Sequence, residues 1–423
     1  MSEFDKIIGY ESIKFELKRI CDVLKNYDKY EKLGVKQPGG ILLHGDVGLG
    51  KTLMAKAFAK ETCWNIYILR KGKPNGDFVK EISEIYETAK NNQPAIVILD
   101  DLDKYSNEDE SHRNSDEFIT VQSCIDEMKG LKVFTIATTN QKDAFPKSLL
   151  RAGRFDKVIK VEKPKGEDCK KIIEYYLSQK KYIANLDIAE IAKILDYSSC
   201  AELESVVNEA GIYAGSQNKE VIDTDDVIRA CMRIIFKAPE TLSKDNQNNI
   251  EMIAYHEAGH AVINEILEPN SVNLLSVRKY EGDIGGITSS SQCENYFYKT
   301  KNMENRVISL LGGKAATEIV YGEVDVGSQS DMDRAFAIVR RFVEDYCMFG
   351  FNTYMYKYID HSDNFFGVQE NQISLEISRY YQEAKKILVE NREFLDELAK
   401  ALVEKQTLRA KDIKNIKQKL NIC

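Results

Sequence analysis

The chain has 423 residues, a length that predicts two or three domains with sizeable cores. Its 43% hydrophobic and 30% charged residues, with only 7 Pro and 24 Gly, are typical of a globular protein and exclude a disordered or fibrous one. The 59 basic and 67 acidic residues give a net charge of −8, so no overall positive field is available for a nucleic acid. We therefore expect no nucleic-acid partner.

Cysteine usage and hydropathy both bear on location. Nine cysteines without a Cys-x-x-Cys pair are typical of reduced thiols rather than of a disulfide framework. The N-terminal residues lack the apolar core of a secretory signal, and nowhere do about eighteen apolar residues follow one another without a charge. The sequence thus predicts a soluble, cytoplasmic protein with no membrane span of its own.

Along the chain, short apolar runs alternate with helical patterns over residues 1–157, which predicts an α/β domain with a parallel sheet. Residues 158–236 are expected to form a small helical domain after one last strand, and the polar, aperiodic segment 237–249 a linker. Residues 250–423 are predicted to be mainly helical. The expected strands are 41–43, 66–69, 95–99, 133–137 and 158–161 in the first part, and 272–277 and 284–290 in the last.

A phosphate-binding pattern, G-x-x-x-x-G-K-[ST], lies between the first predicted strand and a helix. It consists of Gly45, Asp46, Val47, Gly48, Leu49, Gly50, Lys51 and Thr52. The loop amides can surround phosphates, Lys51 can contact the β and γ oxygens, and Thr52 can offer its hydroxyl to Mg²⁺. Asp100 follows strand 95–99 as the predicted acid on the Mg²⁺ side, and Asn140 could orient the attacking water. ATP and Mg²⁺ are the expected cofactors.

An H-E-x-x-H motif lies in the predicted helix 252–267. The i, i+4 spacing puts His256 and His260 on one helix face for zinc and leaves Glu257 to take a proton from bound water. The third histidine of the metzincins is absent, so a downstream carboxylate is needed. Spacing alone does not choose among four candidates: Glu318, Asp325, Asp331 and Asp333.

The order of these motifs resembles that of the FtsH-type AAA+ ATP-dependent zinc proteases, and the resemblance covers nearly the whole chain. It is carried by the nucleotide motifs and by three later stretches: 254–261, 311–318 and 327–331. The resemblance implies that Ile8 and Gly9 lie at the adenine. It also implies that Asp331, which closes the last stretch, is the third zinc ligand, with Glu318 as the alternative.

The resemblance also assigns a role to two arginines. Arg151 and Arg154 match the family's arginines that reach the γ-phosphate of a neighbouring subunit, which a guanidinium suits through its permanent charge and planar donors. Read from the residues alone, local salt bridges are the alternative. If the resemblance holds, ATP hydrolysis requires a homo-oligomer, with a hexameric ring expected.

The fold implied is an α/β AAA+ P-loop ATPase with a parallel sheet and helical lid, followed by a mainly α-helical zinc metalloprotease domain. The function implied is that of an ATP-dependent zinc metalloendopeptidase that feeds unfolded polypeptides to the zinc site. Two alternatives stay open. One is a zinc peptidase with a slow or structural ATPase that acts on unstructured peptides. The other is a nucleotide-gated remodelling protein.

Four features depart from the family pattern. Members of the family usually carry membrane-spanning segments ahead of the ATPase, whereas this sequence starts with the ATPase, so we do not expect the family's membrane location to carry over. Asp101 replaces the family's water-polarising Glu, and the missing methylene predicts slow hydrolysis. Residues 73–76 occupy the place of the substrate-gripping loop without an aromatic side chain, with Phe78 as a possible substitute. Cys200 stands where the family's helical lid has Gly.

Residues 285–290, by contrast, resemble the family's edge strand beside the zinc, which suits the binding of an extended peptide.

Overall fold

The computed structural model describes residues 2–72, 77–105, 116–142, 146, 148–151, 153–238, 244–278, 286–290, 299–323, 326–355 and 363–422. Within it the chain divides into two compact units. The first unit consists of Met1–Tyr182 and Leu195–Gly211, and the second of Ile183–Ile194 and Ile212–Cys423.

The regular elements follow one another along the chain as below. The strands are β1 (Gly40–His44), β2 (Asn65–Leu69), β3 (Ala95–Leu99), β4 (Val133–Thr139), β5 (Lys157–Lys160), β6 (Val272–Ser276), β7 (Ile287–Ser290) and β8 (Thr407–Arg409). The helices are α1 (Glu11–Lys25), α2 (Tyr27–Glu31), α3 (Lys51–Thr62), α4 (Phe78–Asn91), α5 (Asp116–Glu127), α6 (Gly166–Ser178), α7 (Ile188–Ile194), α8 (Cys200–Ser216), α9 (Thr224–Ile234), α10 (Lys244–Leu267), α11 (Thr300–Leu310), α12 (Gly312–Tyr321), α13 (Gln329–Glu344), α14 (Asp363–Glu390), α15 (Arg392–Lys405) and α16 (Ala410–Lys419).

The first unit is built on a parallel five-stranded sheet of order β2-β3-β4-β1-β5. All five predicted strands are present. The apolar side chains of the three inner strands β1, β3 and β4 are buried, whereas the outer strand β2 leaves Ile68 47% exposed. Leu42 of β1 lies opposite Ala137 of β4 and Val158 of β5. The carboxyl ends of β1, β3 and β4 therefore meet at one edge of the sheet, which is where open α/β sheets bind ligands.

Phe78 belongs to the core of this unit. It is the first residue of α4, is only 5% exposed, and meets the ring of Tyr105 edge-on at a centroid distance of 4.7 Å. The hypothesis that Phe78 grips a substrate is therefore wrong, because the ring that would have to contact the substrate is packed inside the unit. The predicted gripping loop, residues 73–76, lies outside the described residues.

The second unit is mainly helical and contains a three-stranded antiparallel sheet of order β7-β6-β8. Helix α10 lies in its core and packs against α12, α15 and β6. A buried ion pair of 3.0 Å joins Lys417 of α16 to Glu265 of α10, and Glu265 also accepts the amides of Asn270 and Val272. The described elements thus agree with the predicted fold class, an α/β unit followed by a mainly helical one.

Two predicted boundaries differ from the structure. Helix α10 begins at Lys244, inside the segment predicted as a linker. The predicted helical domain 158–236 is divided between the units, because α7 and α9 belong to the second one. Non-local hydrogen bonds account for this: Ile183 donates its amide to the carbonyl of Ile222 at 3.0 Å, and Asn273 of β6 donates to the carbonyl of Lys193 at 3.3 Å.

In the described parts of the chain, no helix combines the length and the apolar character that crossing a membrane requires.

Candidate active sites

The predicted phosphate loop connects β1 to α3. Gly48 and Gly50 have φ values of 79° and 83°, a left-handed conformation that only glycine adopts without strain. The buried Lys51 ammonium donates to the carbonyl of Gly45 at 2.8 Å and to Oδ1 of Asn140 at 2.9 Å. The cation is thus held under the loop by acceptors that a phosphate can replace, and the backbone amides remain for the phosphate oxygens.

Asp100 is buried at the end of β3, and its two oxygens have different partners. Oδ1 accepts the hydroxyl of Thr52 at 2.7 Å and that of Thr138 at 2.8 Å. Oδ2 lies 3.1 Å from the guanidinium of Arg70. A strand-end carboxylate beside the threonine of a phosphate loop is the donor set that Mg²⁺ takes in P-loop sites, so these residues fit Mg·ATP.

Asp101 also lies at this edge, in the left-handed conformation, with a φ of 53°. Its Oδ2 accepts from Lys104 at 2.9 Å and from Arg70 at 3.1 Å. Burial alone would raise the pKa of Asp101, but the cations of Lys104 and Arg70 keep it below its usual value. The carboxylate is therefore already engaged by two cations, which makes it a weak acceptor for a proton from water.

Asn140 is fixed from both sides. Its side-chain oxygen accepts from Lys51, while its backbone amide donates to Oδ1 of Asp103 at 3.1 Å and its side-chain amide to Oδ2 at 3.3 Å. Sequence reasoning missed Asp103 and Arg70. No pattern identified them, because their partners lie on strands that are distant in sequence.

The two arginines predicted to act on a neighbouring subunit differ in their surroundings. Arg154 is held within its own unit by Asp126, Gln122 and the carbonyl of Ser148, with nitrogen–oxygen distances of 2.7 to 3.3 Å. Arg151 is exposed. The local salt bridge that sequence reasoning kept as the alternative therefore describes Arg154, while Arg151 is open to a partner.

The segment predicted to contact adenine lies directly before α1. Gly9 has a φ of 69°, and an added Cβ would lie 2.9 Å from Oδ1 of Asp168. The hydroxyl of Tyr10 lies 3.4 Å from Sγ of Cys200, and the amide of the next residue, Ala201, donates to the carbonyl of Gly48 at 3.1 Å. Tyr10, which directly follows Gly9, and the phosphate loop thus both contact the beginning of α8.

In the second unit, α10 presents His256 and His260 one turn apart, and α13 brings Asp331 to them. Oδ2 of Asp331 lies 3.4 Å from Nε2 of His256 and 3.2 Å from Nε2 of His260. The ligand atoms of all three buried side chains lie within 4.8 Å of one another. This is the donor set of a catalytic zinc site, with three protein ligands and one position left for water.

Neighbouring groups prepare these side chains for a metal. The Nδ1 of His260 lies 2.6 Å from the carbonyl of Ser309, a contact in which Nδ1–H donates and the lone pair of Nε2 faces inward. Arg334 donates to Oδ1 of Asp331, which leaves Oδ2 toward the imidazoles. Burial alone would raise the pKa of Asp331, but His260 and His256 hold it well below its usual range.

The carboxylate of Glu257 is bound by Gly286 and by Thr288 of β7. Its Oε1 accepts the amide of Gly286 at 3.1 Å, and its Oε2 accepts the hydroxyl of Thr288 at 2.5 Å.

Among the alternative zinc ligands, Glu318 is bound by Lys385 at 2.6 Å and by Tyr381, and Asp333 is exposed. The remaining alternative, Asp325, lies outside the described residues.

Gly313 explains how the imidazoles find room. A Cβ built at this position of α12 would lie 2.5 Å from Nε2 of His256 and 2.6 Å from Nε2 of His260. Sequence reasoning assigned Gly313 no role, although two successive glycines at the start of a helical pattern indicate a close approach of another element.

We expect Gly313→Ala to weaken zinc binding by about 10- to 100-fold, because the methyl group displaces both imidazoles. Gly367→Ala is the matched control, since this glycine lies in α14 of the same unit and nothing lies within 4 Å of its added Cβ. Zinc affinity is measured by competition with a chromophoric chelator. Equal affinities for the two variants would contradict the role of Gly313.

Comparison with known proteins agrees with both sites. Residues 41–163 match the model of the ATPase family associated with various cellular activities (AAA), and residues 242–416 match that of peptidase family M41. Three relatives match nearly the whole chain. ATP-dependent zinc metalloprotease FtsH 2 of Phytoplasma mali (strain AT) is 31% identical over 98% of this chain and 62% of its own length. ATP-dependent zinc metalloprotease FtsH 2 of Thermoanaerobacter sp. (strain X514) is 30% identical over 99% and 83%. ATP-dependent zinc metalloprotease FtsH of Bacillus subtilis (strain 168) is 30% identical over 98% and 69%.

The chain thus spans less than two thirds of the phytoplasma relative and larger shares of the other two. The matches support zinc, ATP and Mg²⁺ as cofactors and confirm the predicted family. An AAA unit and an M41 peptidase unit in one chain, with relatives matched over nearly all of it, identify this protein as a member of the FtsH family of ATP-dependent zinc metalloproteases.

Proposed function

We propose that this chain is an ATP-dependent zinc endopeptidase that degrades unfolded polypeptides. The observation that carries the proposal is the convergence of His256, His260 and Asp331 within 4.8 Å, next to the carboxylate of Glu257. Any peptide bond suits such a site. The phosphate loop and its acid, Asp100, in the same chain support coupling of cleavage to ATP.

In this proposal, each residue of the zinc site has one task. His256, His260 and Asp331 hold the metal, which when bound lowers the pKa of a water ligand and polarises a substrate carbonyl. Glu257 takes the proton of the attacking water and delivers it to the leaving amine. An edge strand such as β7 can bind an extended peptide by main-chain hydrogen bonds, which makes side-chain selectivity modest.

In the nucleotide site, Lys51 and Thr52 bind the phosphates and Mg²⁺ together with Asp100, and Asn140 orients the attacking water. Ile8 and Gly9 border the adenine. Completion of the site by a neighbouring subunit makes the protein a homo-oligomer, which we propose to be a hexameric ring in the cytoplasm.

One observation favours a second candidate, a zinc peptidase with a slow or structural ATPase. Asp101 is shorter than the glutamate of the family pattern, and it is engaged by Arg70 and Lys104. In that case the ring would bind ATP yet cut only unstructured peptides.

Degradation of casein by the purified protein with zinc tests the proposed function. With ATP present, we expect cleavage by the wild type, and a loss of about 100-fold or more in Glu257→Gln, which lacks the base, and in Lys51→Ala, which cannot bind the phosphates. Cleavage that is indifferent to Lys51→Ala would favour the peptidase with an idle ATPase. No cleavage beside rapid ATP hydrolysis would favour a remodelling protein.

The surroundings of the two arginines give them separable effects. Arg154→Ala should lower the free energy of unfolding by about 1–2 kcal/mol, because Gln122 loses a donor and Asp126, which also binds Lys129, loses one of its cations. Arg151→Ala should leave stability unchanged and abolish ATP hydrolysis, while retaining ATP binding. Thermal unfolding and a coupled ATPase assay measure the two effects.

A mixing experiment tests whether Arg151 acts on a neighbouring subunit. Lys51→Ala subunits cannot bind nucleotide but carry Arg151, and Arg151→Ala subunits bind nucleotide but lack it. Equimolar mixed assemblies should regain part of the ATPase activity that each variant lacks alone. A mixture that assembles yet stays inactive would argue against action in trans.

Asp101→Glu should raise ATP turnover about tenfold, because the extra methylene extends the carboxylate toward the water, and small misplacements of a catalytic group cost large factors in rate. Asp101→Asn is the control and should lower turnover, since it removes the proton acceptor. Turnover is measured at saturating Mg·ATP. A rate for Asp101→Glu at or below the wild-type rate would refute the hypothesis that the shorter side chain of Asp101 slows ATP hydrolysis.

A further inference from the structure

The H-E-x-x-H pattern fixes its two histidines on one helix face but not its glutamate. Glu257 follows His256 by one residue, so it points about 100° around α10 from the histidine face. A glutamate side chain has three rotatable bonds, and ordering it costs conformational free energy. The contacts that hold the zinc ligands do not involve the Glu257 side chain, so another element must fix its conformation.

The element that holds Glu257 is β7 together with Gly286, the residue directly before it. The two carboxylate oxygens have separate donors there: Oε1 accepts the amide of Gly286 and Oε2 accepts the hydroxyl of Thr288 at 2.5 Å. The close approach requires glycine at position 286, because a Cβ there would lie 2.5 Å from Cγ of Glu257. Each carboxylate oxygen has two lone pairs, so one on each oxygen remains for the proton of the attacking water.

The main chain alone does not fix the carboxylate. A single bond from Gly286 lets the carboxylate turn about the Oε1 contact, whereas the second bond from Thr288 determines its plane. Thr288 is itself held in register, since it pairs with Leu275 of β6 in the antiparallel sheet. Its χ1 is restricted because the side chain is β-branched, so Oγ1 has few positions open to it. In the position it takes, Oγ1 lies 2.5 Å from Oε2 of Glu257 and 3.3 Å from the backbone carbonyl oxygen of the same residue, so the carboxylate oxygen is the nearer acceptor.

From this geometry we propose that Thr288 is a positioning residue for the general base: its hydroxyl, with the Gly286 amide, orients the Glu257 carboxylate for proton transfer. The inference rests on the proposed function, and it gives β7 a second task. The strand whose outer edge is suited to an extended peptide also aligns the base that acts on that peptide. Substrate placement and base alignment therefore depend on one short segment.

The test compares Thr288→Val, which keeps the shape and removes the hydroxyl, with Thr288→Ser, which restores the hydroxyl. A short unstructured fluorogenic peptide serves as substrate, at saturating ATP and zinc. We expect Thr288→Val to lower kcat about tenfold with KM within about twofold of wild type and zinc content unchanged, and Thr288→Ser to recover most of kcat. Thr407→Val is the matched control, because Thr407 lies in β8 of the same sheet and contacts Ser276 instead of Glu257.

Two further measurements separate positioning from general packing. In a Glu257→Gln background, Thr288→Val should cause no additional loss of kcat, since its effect passes through Glu257. The amide hydrogen of Gly286 should exchange faster in Thr288→Val than in wild type, because a carboxylate that is no longer fixed protects it less.

The proposal is overturned if Thr288→Val retains wild-type kcat, if serine fails to restore it, or if zinc is lost along with activity. A wild type and a Thr407→Val variant that both fail to cleave would instead refute the proposed function. In that event the exchange of the Gly286 amide still decides whether Thr288 holds Glu257: unchanged exchange in Thr288→Val would overturn the inference.

Discussion

The zinc site depends on how closely α10 and α12 approach each other. At Gly259 an added Cβ would lie 2.6 Å from the Cβ of Ala316, and at Gly312 one would lie 2.8 Å from the carbonyl oxygen of Gly259. No other residue type fits at these crossing points. One residue later, Gly313 leaves the space that the imidazoles of His256 and His260 occupy. The close packing of α10 against α12 therefore also leaves the space that a metal site needs.

Buried charges in both units have specific partners. Asp100 is surrounded by two threonine hydroxyls and a guanidinium, and Asp331 by two imidazoles and Arg334. An unpaired charge in such a place would cost several kcal/mol, so these partners are a condition of folding. In Asp331, Arg334 contacts Oδ1, so Oδ2 faces the two imidazoles, where a metal would bind. The partners that stabilise these buried carboxylates in the folded state are therefore also the ones that orient them for metal binding.

The sequence was informative where structure follows from local pattern. The five apolar runs became the parallel strands, and the i, i+4 histidines came together on α10, since both features depend only on neighbours along the chain. It was less informative where contacts are distant. The assignment of α7 and α9 to the second unit, the bond between Asp103 and Asn140, and the approach of Gly313 to His256 all join segments that no periodicity connects.

Burying polar or charged side chains costs free energy of folding that apolar side chains in the same positions would not. In the second unit, His256, Glu257, His260 and Asp331 are all less than 10% exposed, in the unit that also holds a large cluster of buried aliphatic and aromatic side chains. Each is contacted by a different element: Gly313 of α12 leaves room for the imidazoles, Arg334 of α13 donates to Asp331, and Thr288 of β7 donates to Glu257. Apolar side chains at these positions would pack the core without this free-energy cost. The burial of four oriented polar groups therefore argues that the site acts as a hydrolase, and it argues against a remodelling protein that has lost cleavage.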